Sequence, residues 1–426
     1  MLQLVNVGHK SIADYASLAS RGLMTEIRRL AEPLQGKRVV HLSATAFGGG
    51  VAEINYALVP LMADVGLDVE WRIIQGDDEF FGVTKTIHNA LQGDPRGLTA
   101  EQEAIFRRYN DLNAEQFEDD YDYVIVHDPQ PAAMVDYFPG STGRWIWRCH
   151  IDLSTPNKDV LAFLAPSLER YDAAIFHMPH YVPRDVALRQ AVIWPPAIDP
   201  LTPKNMALSV EDAAYVVDQF GIDLDRPLLT QISRFDPWKD PLGLIDAYRL
   251  VCEAHPEAQL ALVGSMAHDD PEGWEYYNRT VAHAAGDPDI FILSNLNNVG
   301  SVEVNAFQVH SRAVIQKSIR EGFGLTVTEG LWKARPTVGG RAGGIVAQIR
   351  DGETGWLVAS PKECADACQE ILDDPVEAAG RGRRGKEDVR VRFLMPRLLR
   401  DWLALFNKLD GNDLGETALQ TVATAA

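Results

Sequence analysis

The chain has 426 residues, 46% of them hydrophobic and 23% charged, and a formal net charge of −20. Its length exceeds one ordinary core and favours two domains, while the composition is that of a globular protein without low-complexity tracts. So acidic a chain lacks the basic face that binds phosphate backbones, which excludes a nucleic-acid binder but not a local cation cluster for a small anion.

In chain order, Met1–Lys10 lacks the charged start and long apolar run of a secretory signal. A first strand, Arg38–Leu42, leads into Ser43-Ala44-Thr45-Ala46-Phe47-Gly48-Gly49-Gly50-Val51-Ala52-Glu53. Three glycines let backbone approach a ligand closely, and the helix that follows aims its N–H groups at the same place. The loop has neither the Lys-Ser/Thr of a P-loop nor the dinucleotide spacing, and a ligand-free strand-to-helix turn fits it too. After the strand Val69–Ile74 comes Gln75-Gly76-Asp77-Asp78-Glu79-Phe80-Phe81. Acids that accept from hydroxyls beside rings that cover C–H faces make a sugar pocket. An acidic helix cap is the alternative, and a metal-holding acid pair would demand a single-domain architecture. Strands Tyr123–His127, Trp145–Cys149 and Ala173–Phe176 follow, with Trp147-Arg148-Cys149-His150-Ile151-Asp152 closing the fourth. His150 at a strand end is either a structural hydrogen-bonding residue or one that Asp152, two residues on, orients; Asp152 can also bind a hydroxyl.

Trp194-Pro195-Pro196-Ala197-Ile198-Asp199-Pro200 breaks both periodicities and marks a junction between domains at 1–195 and 196–394. Beyond it lie strands Leu229–Ile232, Leu260–Val263, Ile290–Leu293 and Ala313–Ile315. Arg234 and Lys239 share the loop after the first of these, where Arg can grip a phosphate bidentately and Lys adds a movable charge, although solvated surface charge fits the pair as well. Glu321-Gly322-Phe323-Gly324-Leu325-Thr326-Val327-Thr328-Glu329 follows the last, with a helix expected over Thr326–Lys333. Glu321 then sits at the helix mouth and Glu329 lower on the same side, flanking N–H groups suited to a diphosphate. A capped helix with two solvated acids fits the same pattern. Strands alternating with helices throughout give an α/β chain of two doubly wound, Rossmann-like domains facing across a cleft. Met395–Lys408 is amphipathic and able to pack on either domain, and the tail beyond Asp410 is expected to fray. Four cysteines without metal spacing, and no run of eighteen apolar residues, point to a soluble cytoplasmic protein.

Taken together, these residues resemble a retaining glycosyltransferase of the GT-B fold, in glycosyltransferase family 4. The resemblance is carried by Arg234 and Lys239, by Glu321-Gly322-Phe323-Gly324 through Glu329, and by Gly343-Gly344-Ile345 with Asp351-Gly352-Glu353-Thr354-Gly355. It implies that Glu321 contacts the transferred sugar, Glu329 the nucleotide ribose, and Arg234 and Lys239 the diphosphate, with His150 beside the donor sugar. It also implies donor contacts from Gly49, Gly50, Gly322, Phe323, Gly324 and Leu325, and a last helix, about 395–409, lying back on the first domain.

Phe47–Glu53, Gly76–Phe81 with Thr84-Lys85, His127-Asp128-Pro129-Gln130-Pro131 and Trp147–Asp152 are similar to the trehalose-forming branch of that family. That branch holds trehalose glycosyltransferring synthases and retaining trehalose phosphorylases. The implied reaction moves glucose from a nucleoside diphosphate glucose (ADP, UDP or GDP) to free glucose, reversibly in principle, with Asp77, Asp78, Glu79 and Asp152 on the acceptor. The rivals are a phosphorylase that uses phosphate and a catalytically silent nucleotide-sugar sensor. No metal or other cofactor is required; stimulation by Mg2+ and a homodimer are compatible with the reading, whose partners are small molecules, not nucleic acid or membrane. Ala347 stands where many members carry Glu, and Gly330 where Ala is usual, departures that concern nucleotide binding.

Overall fold

The computed structural model describes residues 1–266, 271–412 and 420–422. Its strands, in chain order, are β1 Gln3–Leu4, β2 Arg38–Ser43, β3 Asp68–Ile73, β4 Tyr123–His127, β5 Arg144–Arg148, β6 Ala173–Phe176 and β7 Ala191–Ile193. They continue with β8 Leu228–Ile232, β9 Gln259–Val263, β10 Ile290–Leu293, β11 Ala313–Gln316, β12 Thr337–Gly340, β13 Trp356–Val358 and β14 Gln420–Val422. The chain divides into a first unit of Met1–Ala197 with Met395–Ala426, and a second of Ile198–Leu394.

In the first unit the sheet order is β1-β3-β2-β4-β5-β6-β7-β14. Only its edge strands β1 and β14 are antiparallel. The buried β-branched runs of the central strands suit a sheet covered on both faces. One face packs Phe80, Val83 and Ile87 of the Asp78–Leu91 helix with Phe106 and Leu164. The other packs Met24, Ile27, Leu58 and Leu61 with the helix Met395–Leu409. Because β2 has β3 on one side and β4 on the other, the chain reverses direction across the sheet at the β2–β4 boundary. The carboxyl ends of strands at such a switch point are where α/β sheets bind ligands.

The second sheet is parallel throughout, in the order β10-β9-β8-β11-β12-β13, with its switch point between β8 and β11. Leu229, Leu260, Leu262 and Ile315 pack with Leu244, Ile245 and Val251 of the Pro241–Cys252 helix. Ala213, Val217, Ala306 and Phe307 cover the opposite face.

The strands read from sequence are found within a residue or two at each end. Five others, β1, β7, β12, β13 and β14, lack the long apolar runs that would reveal them. β12 is the instructive one, because in Thr337-Val338-Gly339-Gly340 only the first two residues favour a strand and the glycines disfavour one. A Cβ on Gly340 would lie 2.0 Å from the Ser318 carbonyl oxygen, and one on Gly339 2.5 Å from Ile345, so close packing demands the glycines. The helix expected at Thr326–Lys333 runs from Leu325 to Trp332. The expected fraying beyond Asp410 falls largely outside the described residues, although Gln420–Val422 pairs with β7. No described helix is long and apolar enough to cross a membrane.

Met395–Leu409 buries Leu398, Leu399, Trp402, Leu403, Leu405 and Phe406 in a stripe at helical spacing. Phe406 stacks on Tyr123 at 4.1 Å between centroids. Arg397 pairs with Asp401 at 2.7 Å and donates to the Pro195 and Pro196 carbonyls, so the charge buried on the helix is satisfied. Trp402→Ala is therefore expected to destabilise the first unit by about 3–5 kcal/mol. Urea denaturation followed by circular dichroism checks this, and an unchanged midpoint would contradict the packing role.

Candidate active site

Two clusters of candidate residues lie at the switch points, one in each unit. In the second unit the loop after β8 is built by its aspartates. Asp236 accepts from the backbone N–H groups of Trp238 and Lys239, closing a short turn. Asp240, in the left-handed region at φ 52°, caps the Pro241–Cys252 helix and pairs with Lys317. These turns aim Lys239 at Glu321, and Nζ lies 2.6 Å from Oε2. Ser318 Oγ donates to the same oxygen at 3.2 Å. Arg234 is more exposed and lies 3.6 Å from Asp236.

Gly324 holds φ 83° at the N-cap of Leu325–Trp332. A Cβ there would lie 3.1 Å from Glu321 Cγ and 3.3 Å from Ile345, so the position takes glycine for both backbone and space. Thr326 Oγ1 donates to the Ile232 carbonyl, tying this helix mouth to the end of β8. Gln348 lies buried behind it and donates to the Phe323 carbonyl at 2.5 Å while accepting from Thr328. The structure thus brings Lys239, Glu321, Gly322, Phe323, Gly324 and Leu325 to one helix N-terminus, whose free N–H groups suit a diphosphate.

Glu329 is placed differently from a solvated acid. It is fully buried, with Oε1 2.8 Å from Lys204 Nζ and Oε2 accepting from Gln308 at 2.9 Å. Burial alone would raise its pKa. The charges of Lys204 and Lys333 and the hydrogen bonds from Lys204 and Gln308 outweigh it, so the carboxyl lies below its usual range. Lys333 is pushed down to about 7 by burial, opposed by the attraction of Glu329. Lys204 and Gln308 were not singled out from the sequence; Lys204 sits in a Pro-rich connection that reads as linker.

In the first unit, Gly48 and Gly49 take φ of 69° and 82° at the start of the Gly49–Asp64 helix, with open space where a Cβ would stand. His150 follows β5, half-buried, and its backbone N–H donates to Asp128 Oδ1 at 2.7 Å. Asp128 itself has φ 63°, and burial pushes its carboxyl up to about 7 against the His150 N–H and Arg148. Asp152 is buried and accepts from the Ser154 N–H at 2.8 Å, shaping its own turn. His127 hydrogen-bonds His150 at 2.9 Å, and His41 hydrogen-bonds His127 at 2.9 Å. His41 was missed, and its one signal is a histidine inside an otherwise apolar strand.

The acids at 77–79 form the helix cap that the sequence left open as an alternative. Asp77 accepts from Tyr109 and from the Phe80 N–H, which in that order hold its carboxyl below the usual range. Glu79 lies 3.4 Å from Arg108, and Asp78 is in the first helical turn. Among the described residues no group of three or more His, Cys, Asp or Glu is arranged to hold a metal ion.

Residues 41–183 match the family model "Trehalose synthase, N-terminal domain", and residues 216–388 match "Glycosyl transferases group 1". The chain is 58% identical to a trehalose synthase of Rubrobacter xylanophilus, covering 96% of this chain and 100% of that one. It is 44% identical to a trehalose synthase of Pyrococcus horikoshii, over 95% and 98% of the two chains. Among solved structures, a sucrose-phosphate synthase from Thermosynechococcus elongatus superposes with a TM-score of 0.69 at 18% identity, over 88% of this chain and 99% of that one. That likeness shows the GT-B fold.

The Lys204–Glu329 pair yields a signed prediction. In the native protein the depressed Glu329 pKa stabilises the fold above the unfolded value of about 4.3, and this is lost as pH falls through the folded value. Lys204→Met leaves the buried carboxylate short of its main partner and is expected to cost about 3 kcal/mol near neutral pH. The variant's raised pKa makes that deficit shrink as pH falls towards about 4.3. Urea midpoints of both proteins across this range test it; a gap independent of pH would contradict the coupling.

Proposed function

We propose that this chain, which belongs to the trehalose synthase family, makes α,α-trehalose by transferring glucose from a nucleoside diphosphate glucose to free glucose, with retention at the anomeric carbon. The observation that carries the reading is the Lys239–Glu321 pair at the mouth of the Leu325–Trp332 helix. A cation, a carboxylate and a helix N-terminus at one point match a sugar joined to a diphosphate. The N–H groups and Lys239 take the phosphates, together with the exposed Arg234. Glu321 takes the hydroxyls of the transferred glucose. The family resemblance assigns the ribose to Glu329, which in this structure is buried against Lys204 and Gln308.

The bond from glucose C1 to the diphosphate oxygen breaks as the acceptor's anomeric oxygen forms a bond to C1 from the same face. The acceptor proton passes to the leaving phosphate oxygen, and the nucleoside diphosphate departs. Arg234, Lys239 and the helix N-terminus stabilise the negative charge that grows on the diphosphate. Glu321 and His150 hold the oxocarbenium-like sugar. The acceptor is assigned to the first unit, with Asp152 and the acids at 77–79 as its contacts. Exclusion of water during transfer would favour glucose over hydrolysis.

Incubation with glucose and each of ADP-, UDP- and GDP-glucose is expected to yield trehalose and an equal amount of released nucleotide with at least one donor. A separate reaction of trehalose with phosphate is expected to give no glucose 1-phosphate; its formation would favour the phosphorylase reading. Glu321→Ala and Arg234→Ala should each lower kcat about 100-fold or more with the fold intact. Near-normal turnover in both would overturn the assignment.

A further inference from the structure

We propose that His127 and His41 are positioning residues that lock His150 in its neutral Nδ1–H tautomer, so that it offers the sugar a hydrogen-bond donor and no base. The inference rests on the reading of His150 as a sugar contact only for its consequence; the tautomer follows from the hydrogen-bond geometry and the burial of the rings.

Nδ1 of His41 lies 2.9 Å from Nε2 of His127, and Nδ1 of His127 lies 2.9 Å from Nε2 of His150. Successive rings stack at 5.2 Å between centroids, with planes 19° and 18° apart. The parallel register of β2 and β4 pairs His41 with Ile125, which puts His41 and His127 on the same face of the sheet, one pleat apart. The His150 end is held through its backbone by Asp128. The chain of rings is thus fixed at both links.

Each link needs one proton, so neutral rings can be ordered in two ways. If His150 donates inwards, the last proton sits on His41 Nε2, which is buried and has no hydrogen-bond partner among the described residues. The neighbouring ring is Trp402, 6.0 Å away between centroids with planes 66° apart, which brings no oxygen or nitrogen acceptor to Nε2. If His41 donates outwards, the unused group there is a lone pair, and the free proton sits on Nδ1 of His150. Either end left unpaired keeps a desolvation penalty, but in folded proteins a buried N–H without an acceptor is rarer than a buried acceptor without a donor. The outward order is therefore preferred.

The rings stay neutral for reasons on every side. Burial holds His41 down to about 3. Burial, then the neighbouring histidines and Arg148, hold His127 well below the ordinary range, and burial, then Arg148, His177 and His41, do the same for His150. A His150 whose Nε2 lone pair accepts from His127, and whose Nδ1 carries a proton, has no lone pair left for the acceptor's proton. Transfer of that proton to the leaving phosphate is then the route that remains.

The test is 15N NMR of the full chain labelled at histidine, with His150 assigned from its missing signals in His150→Gln. The expected result is His150 protonated at Nδ1 and bare at Nε2. Protonation at Nε2, or at both nitrogens, overturns the proposal, and the wild-type spectrum alone decides it. In His127→Leu, His150 should lose that bias and kcat should fall about tenfold. His127→Asn, whose amide can donate from near the Nδ1 position, should recover both the tautomer and the rate. If Nδ1–H is found while His150→Ala turns over normally, the tautomer lock stands and the sugar-contact reading falls.

Discussion

The left-handed turn at Gly324 is the constraint from which the second unit's cluster follows. With φ 83° and only tight space for a Cβ, it doubles the chain back so that Glu321 and the first turn of the helix face one point. Thr326 anchors that turn to β8, and Gln348 satisfies the carbonyls it exposes. Lys239 completes the arrangement from the neighbouring strand end, held at 2.6 Å by the carboxylate it faces. The pair also keeps a partly buried cation and a partly buried anion neutral overall.

The first unit solves a different problem with the same topology. Its switch point lies between β2 and β4, and there the chain sets three imidazoles near the buried Arg148. Three rings linked nitrogen to nitrogen, under the helix Met395–Leu409, form a polar element that burial keeps uncharged. In the proposed function, a neutral donor beside the oxocarbenium-like sugar would add no positive charge where positive charge develops, while Arg234 and Lys239 would stand beside the diphosphate, where the charge that grows is negative.

Much of this was legible in the sequence because strong patterns carried it. Buried parallel strands are long apolar runs, and the Gly-rich and charged loops stand directly after them, so Arg234, Lys239, Glu321 and His150 could be placed at strand ends. What was not legible depends on contacts between distant segments. Lys204 lies in a connection that reads as linker, yet its ammonium meets Glu329. Gln348 looks like an ordinary polar residue after two glycines, and its role as a bracket for the Phe323 and Gly324 carbonyls appears only in three dimensions. β12 hides because its glycines are there for close approach, not propensity. The acids at 77–79 suggested a sugar pocket, and in the structure Asp77 first caps a helix and holds Tyr109.

Transfer from a donor carrying 13C at glucose C1 to unlabelled glucose, followed by NMR, decides whether the proposed reaction takes place. The label is expected in α,α-trehalose with the α configuration kept, in step with release of the nucleoside diphosphate. Label found in free glucose or in a β-linked product, or no transfer from any of the three nucleotide donors, would contradict it.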